Sequence, residues 1–223
     1  MKCSDDMASL STVTCRDLPQ LEKMEIHRPG NELLLSILIC TIPSRKHFLT
    51  RLRGILNDQV MPWFENVEIL VDGREDISIG EKRNSLLDRA KGRFVQFADD
   101  DDRVSNHYIA HSMLGIEGDY DCCSLKGVIT ENSRNPKTFI HSIKYKEYRE
   151  FNGIYERYPN HLNCIRASIA KQFKFPETNH GEDTDWATQI FKSGLIKTEY
   201  WIDDVIYFYE YISPEVRKQL NYH

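Results

Sequence analysis

Three apolar runs of strand length alternate with two segments of helical periodicity in the first half of the chain. The runs are ELLLSILIC (32–40), NVEILVD (66–72) and RFVQFAD (93–99). Between the first two, SRKHFLTRLRGILND (44–58) carries Phe48, Leu49, Leu52, Ile55 and Leu56 at helical spacing. Between the second and third, SIGEKRNSLLDRAKG (78–92) opens on a Ser78/Glu81 capping-box pattern and is expected to close at Gly92. A β-α-β-α-β order predicts an α/β fold, with a mostly parallel sheet covered by helices on both faces. Ligands of such sheets sit beyond the carboxyl ends of the strands. The polar residues follow that rule. The first strand ends in Thr41, Pro43, Ser44 and Arg45, the second in Asp72 and Gly73, and the third in Asp99, Asp100, Asp101 and Asp102. Four adjacent like charges are costly unless water or a cation offsets their repulsion, so this crevice is the first place to look for chemistry.

The second half is less regular. YDCCSLKGVITE (120–131) and KTFIHSIKY (137–145) predict antiparallel strands, and HLNCIRASIAKQF (161–173) contains a short helix. GEDTDWATQIFKSG (181–194) predicts a helix with Trp186, Ala187, Ile190 and Phe191 on one face, and EYWIDDVIYFYEY (199–211) supplies late strands. Residues 1–30 are polar and weakly patterned, which suggests an N-terminal arm before a single domain over 31–223. The net charge of −5 gives no global basic footprint, so nucleic acid is not an expected partner. No run reaches the length of a transmembrane helix, and the N-terminus lacks the apolar core of a signal peptide. The expectation is a cytoplasmic protein, with any membrane attachment peripheral. Cys3, Cys15, Cys40, Cys122, Cys123 and Cys164 form no C-x-x-C pair and are expected to be reduced.

FADDDD (97–102) has the form of the aspartate-x-aspartate motif that ends the nucleotide-binding half of GT-A glycosyltransferases. ILICTIPSR, EILVDG, GEKRNSLLDRAKGRF and GEDTDW stand around it in the order and spacing of that fold. Over roughly residues 34–211 the chain resembles glycosyltransferase family 2. The resemblance implies a GT-A (Rossmann-like) fold with a smaller antiparallel part on the acceptor side. It also implies metal-dependent sugar transfer with inversion from a nucleotide diphosphate sugar, a UDP-sugar being expected. The acceptor would be a glycan, a protein or another hydroxyl compound.

The same resemblance assigns residues. Asp99 and Asp101 match the two fixed motif positions and would hold Mn²⁺ or Mg²⁺, with Asp99 also near the ribose and Asp100 at the variable position. The departing diphosphate needs its charge neutralised, and a hard cation with oxygen ligands does this. Asp72 would face the nucleobase, while Arg83 and Asn84 match an Arg-Asn pair on the donor side, with Lys82 a weaker candidate. Thr41, Pro43, Ser44, Arg45 and Asp100 complete the expected donor site, although Ser44 and Arg45 replace a more frequent Tyr-Asn. Glu182 and Asp183 match the acidic pair near the acceptor, with Asp183 as the base.

Each assignment has a plainer alternative. The four aspartates could be N-terminal acids of a helix in RVSNHYIAHSML. Asp72 could be the turn residue of a DG pair. Arg83 could lie on a solvated helix face. Glu182 and Asp183 could serve only the helix dipole, and Asp185 is the acid expected to face solvent. His161, His180 and His223 are candidate metal or acceptor ligands, against the commoner structural or surface role. Tyr145, Tyr148, Tyr155, Tyr158, Tyr207, Tyr209 and Tyr211 could floor a sugar site, against core packing. Two other function classes compete. A sugar-1-phosphate nucleotidyltransferase would need a glycine-rich loop after the first strand, and CTIPSRK has no glycine. A non-catalytic carbohydrate- or cation-binding module is allowed by the acidic run, but it has no use for the base in GEDTDW.

Overall fold

A computed structural model describes residues 32–219. The expectations for the arm over 1–30, for Cys3 and Cys15 and for His223 lie outside the described residues. The first half contains β1 (Leu35–Cys40), α1 (Lys46–Val60), β2 (Val67–Asp72), α2 (Ile79–Arg89), β3 (Phe94–Phe97), β4 (Arg103–Val104) and α3 (Tyr108–Glu117). The second half contains β5 (Cys122–Cys123), β6 (Leu125–Glu131), β7 (Arg134–His141), β8 (Arg149–Phe151), β9 (Ile154–Arg157), β10 (Ile165–Arg166), α4 (Ala167–Ala170), α5 (Glu182–Ser193), β11 (Glu199–Tyr200), β12 (Tyr207–Tyr211) and α6 (Pro214–Gln219).

These strands form two six-stranded sheets. The first has the order β11-β5-β10-β3-β1-β2. β1 is parallel to β2 and β3, β5 is parallel to β11, and β10 runs antiparallel to both β3 and β5. Five strands of this sheet therefore point one way and β10 the other. β1 alternates strictly, as a strand covered on both faces must. Leu35, Ile37 and Ile39 pack with Leu52 and Leu56 of α1 and with Tyr108, Ile109 and Met113 of α3. Leu38 points to the opposite face, with Leu86 and Leu87 of α2 and with Ile169, Trp186 and Ile190 of α4 and α5. Each such buried aliphatic side chain is worth about 1.5–3 kcal/mol relative to exposure, so the sheet that carries the crevice is a rigid platform.

Three expectations need correction. α2 keeps its capping box, with Ser78 Oγ accepting from Glu81 N and Glu81 Oε2 accepting from Ser78 N. It ends at Arg89, however, and not at Gly92. Gly92 is required for close approach instead: a Cβ there would lie 2.5 Å from the Ser36 nitrogen of β1. The run 120–131 is not one strand. It divides at the buried Ser124, with β5 in the first sheet and β6 in the second. Ser124 donates its N–H to Tyr200 O (2.9 Å), and its Oγ accepts from Ile202 N (2.7 Å), which holds the chain where it changes sheets. The second sheet, of order β4-β12-β6-β7-β9-β8, is neither smaller in strand number nor purely antiparallel. β12 runs parallel to β6, and β7 parallel to β9.

Candidate functional site

The register Cys40↔Asp72 brings the ends of β1 and β2 level, and Thr41 N donates to Asp72 O (2.9 Å). The aspartates form a turn after β3, closed by Asp102 N donating to Asp99 O (3.1 Å). The chain then enters β4, and α3 starts only at Tyr108 with His107 as its N-cap and no acid in its first turn. The aspartates therefore cap no helix. Thr41 Oγ1 donates to Asp100 Oδ2 (2.6 Å), and Lys82 Nζ donates to Thr41 O (2.9 Å). Pro43 and Ser44 are exposed in a single 3-10 turn that delivers Arg45 to the acids. Arg45 Nη2 lies 2.5 Å from Asp100 Oδ1 and 2.6 Å from Asp101 Oδ2. Arg51 Nη2 donates to the Asp101 carbonyl (2.5 Å).

Each acid has its own electrostatic setting. Burial pushes the Asp100 carboxyl up to about 6, against the pull of Thr41 and Arg45. Burial, reinforced by Asp99 and Asp101, holds Asp102 well above the usual carboxylate range, against the pull of the Tyr207 hydroxyl and the Glu210 backbone. For Asp99, Arg83 and His161 outweigh burial and keep the carboxyl well below that range.

Glu182 and Asp183 open α5. The residue before them, Gly181, is the N-cap at φ +80°, a conformation that favours glycine. An arginine and a histidine stand between these acids and the aspartate turn. Arg83 is 5% exposed, so it is not on a solvated face; its Nη2 lies 3.1 Å from Asp99 Oδ1 and its Nε 3.2 Å from Glu182 Oε1. Its guanidinium also lies over the rings of Phe97 (5.1 Å) and Phe175 (5.8 Å). The buried His161 ring places Nε2 3.5 Å from Asp99 Oδ2 and Nδ1 3.8 Å from Asp183 Oδ2. Asp99 is thus the hub of a clamp, with one oxygen facing Arg83 and the other His161. Asp185 is exposed, in keeping with a helix-dipole role.

Several candidates are placed otherwise. Asn84 exchanges two hydrogen bonds with the Phe175 backbone, both 2.9 Å, and so holds the segment before α5. Asp72 is buried and accepts from Arg74 N (3.2 Å), Nε (3.0 Å) and Nη2 (2.5 Å), which lowers its pKa. The first of these bonds is the turn geometry of a DG pair. His180 is exposed on the loop before α5. Tyr207 is buried, and its hydroxyl accepts from Asp99 N (3.1 Å), bracing the aspartate turn from the second sheet. Tyr148 packs on Tyr158 (4.5 Å), which stacks on Phe191 of α5 (4.4 Å) and bonds Thr188 (2.8 Å). Tyr209 and Tyr211 are exposed on β12, while Tyr145 and Tyr155 are half-buried. The bridging roles of Arg83 and His161 had no sequence counterpart. A basic residue three positions before Leu86, on the apolar face of α2, was a readable sign for Arg83; nothing local marks His161.

Among the described residues no group of three or more histidine, cysteine or carboxylate side chains is assembled as a cation site. The oxygen chemistry nevertheless fits a hard divalent ion. Asp101 has a side chain 27% exposed, and the carboxyl of Asp102 is buried beside it. Asp99, with both oxygens engaged, is the less suitable ligand of the expected pair. A groove of about 730 Å³ between α1 and α3, lined by Gly54, Asp58, Trp63 and Ala110, contains none of these acids.

Solved structures share this fold. Residues 1–349 of S. aureus TarS in complex with UDP-GlcNAc match with a TM-score of 0.57 and 17% identity, over 83% of this chain and 61% of that one. The same fragment with UDP gives 0.55 and 18%, over 84% and 63%. A further structure of S. aureus TarS gives 0.51 and 14%, over 84% and 38%. These neighbours are GT-A glycosyltransferases, and the chain has the GT-A fold. It spans about three-fifths of the length of the TarS fragments it matches. No protein-family model matches the sequence, and neither does any curated protein. No helix among the described residues is long and apolar enough to cross a membrane.

Proposed function

We propose that this chain is a glycosyltransferase that moves a sugar from a nucleoside diphosphate sugar to an acceptor hydroxyl, with inversion and with the help of Mn²⁺ or Mg²⁺. The donor expected is a UDP-sugar; the complexes of the structural neighbours with UDP and UDP-GlcNAc support that class. The observation that carries the reading is the joining of two acidic motifs. Arg83 pairs with both Asp99 and Glu182, and the His161 ring lies between Asp99 (3.5 Å) and Asp183 (3.8 Å, beyond hydrogen-bond reach). A binding module has no need to fix a second carboxylate across from the first.

Asp101, with Asp102 behind it, would hold the cation. When bound, that ion neutralises charge on the departing diphosphate. Thr41 and Asp100 shape the turn, and Arg45 stands ready for phosphate oxygens as a fork donor. Asp72 and Arg74 line the end of β2 where the base would lie. Asp183 takes the proton of the acceptor hydroxyl, whose oxygen attacks the anomeric carbon from the face opposite the diphosphate. Glu182 and Asn84 position: the first holds Arg83 and the second holds the segment leading to α5. Residues 132–160 are where the acceptor would be selected. The donor-binding unit is 31–223, with the arm over 1–30 dispensable for it.

Thermal unfolding with a panel of nucleotide sugars, with and without Mn²⁺, tests the reading. A matched donor at 100 times its Kd adds about 2.7 kcal/mol. The expected result is cation-dependent protection by UDP and a UDP-sugar, lost in Asp101→Asn. Absence of protection by every nucleotide with every cation would overturn it.

A further inference from the structure

We propose that Arg45 is a resident counter-cation of the aspartate turn: it occupies the place between Asp100 and Asp101 until a divalent ion arrives, then exchanges acids for the donor's phosphates. This rests on the donor site proposed above. The motif aspartates carry like charges on adjacent residues, and such a group needs a cation when no metal is bound. Arg45 supplies it with one nitrogen, Nη2, shared between Asp100 Oδ1 (2.5 Å) and Asp101 Oδ2 (2.6 Å). The fork is not used: Arg45 Nε is buried with no hydrogen-bond partner. The guanidinium also lies over the Phe48 ring (5.7 Å), but it meets the acids through one nitrogen alone, which leaves its fork geometry unspent.

Accessibility separates this arginine from its neighbours. Arg83 is 6% exposed in its side chain and is locked between Asp99 and Glu182. Arg51 bonds the Asp101 backbone carbonyl, which no incoming ion needs to displace. Arg45 and Asp101 are 28% and 27% exposed in their side chains, so ions can reach the pair. The exchange has an acceptor for each group it frees. Asp100 Oδ2 keeps the Thr41 hydroxyl at 2.6 Å, Asp100 Oδ1 and Asp101 would turn from Arg45 to the ion, and the freed guanidinium would meet the donor's phosphates. In the plainer reading, Arg45 is a half-exposed ion pair of little consequence.

Binding of Mn²⁺ alone, followed by the electron paramagnetic resonance of the free ion, separates the two. Arg45→Gln removes the charge and leaves a shorter, polar side chain. It should bind Mn²⁺ about tenfold tighter than wild type, since the competing cation is gone. Arg45→Lys, whose ammonium lacks the planar fork, should fall between the two and serves if the glutamine variant folds poorly. With saturating Mn²⁺ the order should reverse, and Arg45→Gln should bind UDP roughly tenfold more weakly. If both variants bind Mn²⁺ no tighter than wild type while UDP binding stays cation-dependent, the exchange is wrong and the donor site stands. If UDP binding in wild type is indifferent to any cation, the metal part of the proposed function falls and takes this inference with it.

Discussion

Asp99, Arg83 and His161 show how a site forms from residues that a sequence presents separately. The aspartates were legible as a cluster because they directly follow an apolar strand, and position alone placed them at the mouth of the sheet. Their partners were not. Arg83 pairs with residues 16 and 99 positions away, and His161 with residues 62 and 22 positions away. No local pattern records such distances. Breaking one partner of a buried ion pair leaves an uncompensated charge, which costs about 3–5 kcal/mol. Arg83→Gln removes the partner of Glu182 and one of the two partners of Asp99, so the unfolding free energy from urea titration should fall by an amount in that range. A loss under about 1 kcal/mol would show that the clamp behaves as an exposed pair.

At the scale of elements, the first-half strands were easy to place because both faces of the sheet are covered, and this makes each strand a continuous apolar run. Boundaries were harder. Gly92 looked like a helix terminator, but its reason lies in the backbone of β1, which no window of sequence contains. The break at Ser124 was hidden because a serine inside an apolar run looks like any strand residue. Two glycines on helices give predictions of opposite sign. A Cβ added at Gly54 on α1 would meet nothing within 4 Å, so Gly54→Ala should stabilise by about 0.5–1 kcal/mol. Gly80 on α2 faces the Pro176 carbonyl, and a Cβ there would lie 1.7 Å from its oxygen. Gly80→Ala must push residues 176–178 away and should cost about 1–3 kcal/mol despite alanine's better helix propensity. Equal shifts in the same direction for both variants, measured by urea unfolding, would contradict this packing.

The whole molecule joins its two sheets at the candidate site. β4 follows the aspartate turn directly and pairs with β12, and Tyr207 of β12 holds the Asp99 amide. The turn is therefore anchored by the first sheet on one side and the second sheet on the other. The second half was only partly legible, since two of its apolar runs change sheets midway and no periodicity marks that change. The GEDTDW helix was legible in place and extent, but its distance from the aspartates was not. That proximity is the centre of the account, because the proposed function reads the two acidic motifs as a donor loop and a base. Asp183→Asn preserves size and shape while removing the proton acceptor. The decisive measurement is its sugar-transfer turnover beside its UDP–Mn²⁺ affinity. The account predicts turnover lower by roughly 10²–10⁴ with nucleotide affinity unchanged; transfer at the wild-type rate would contradict it.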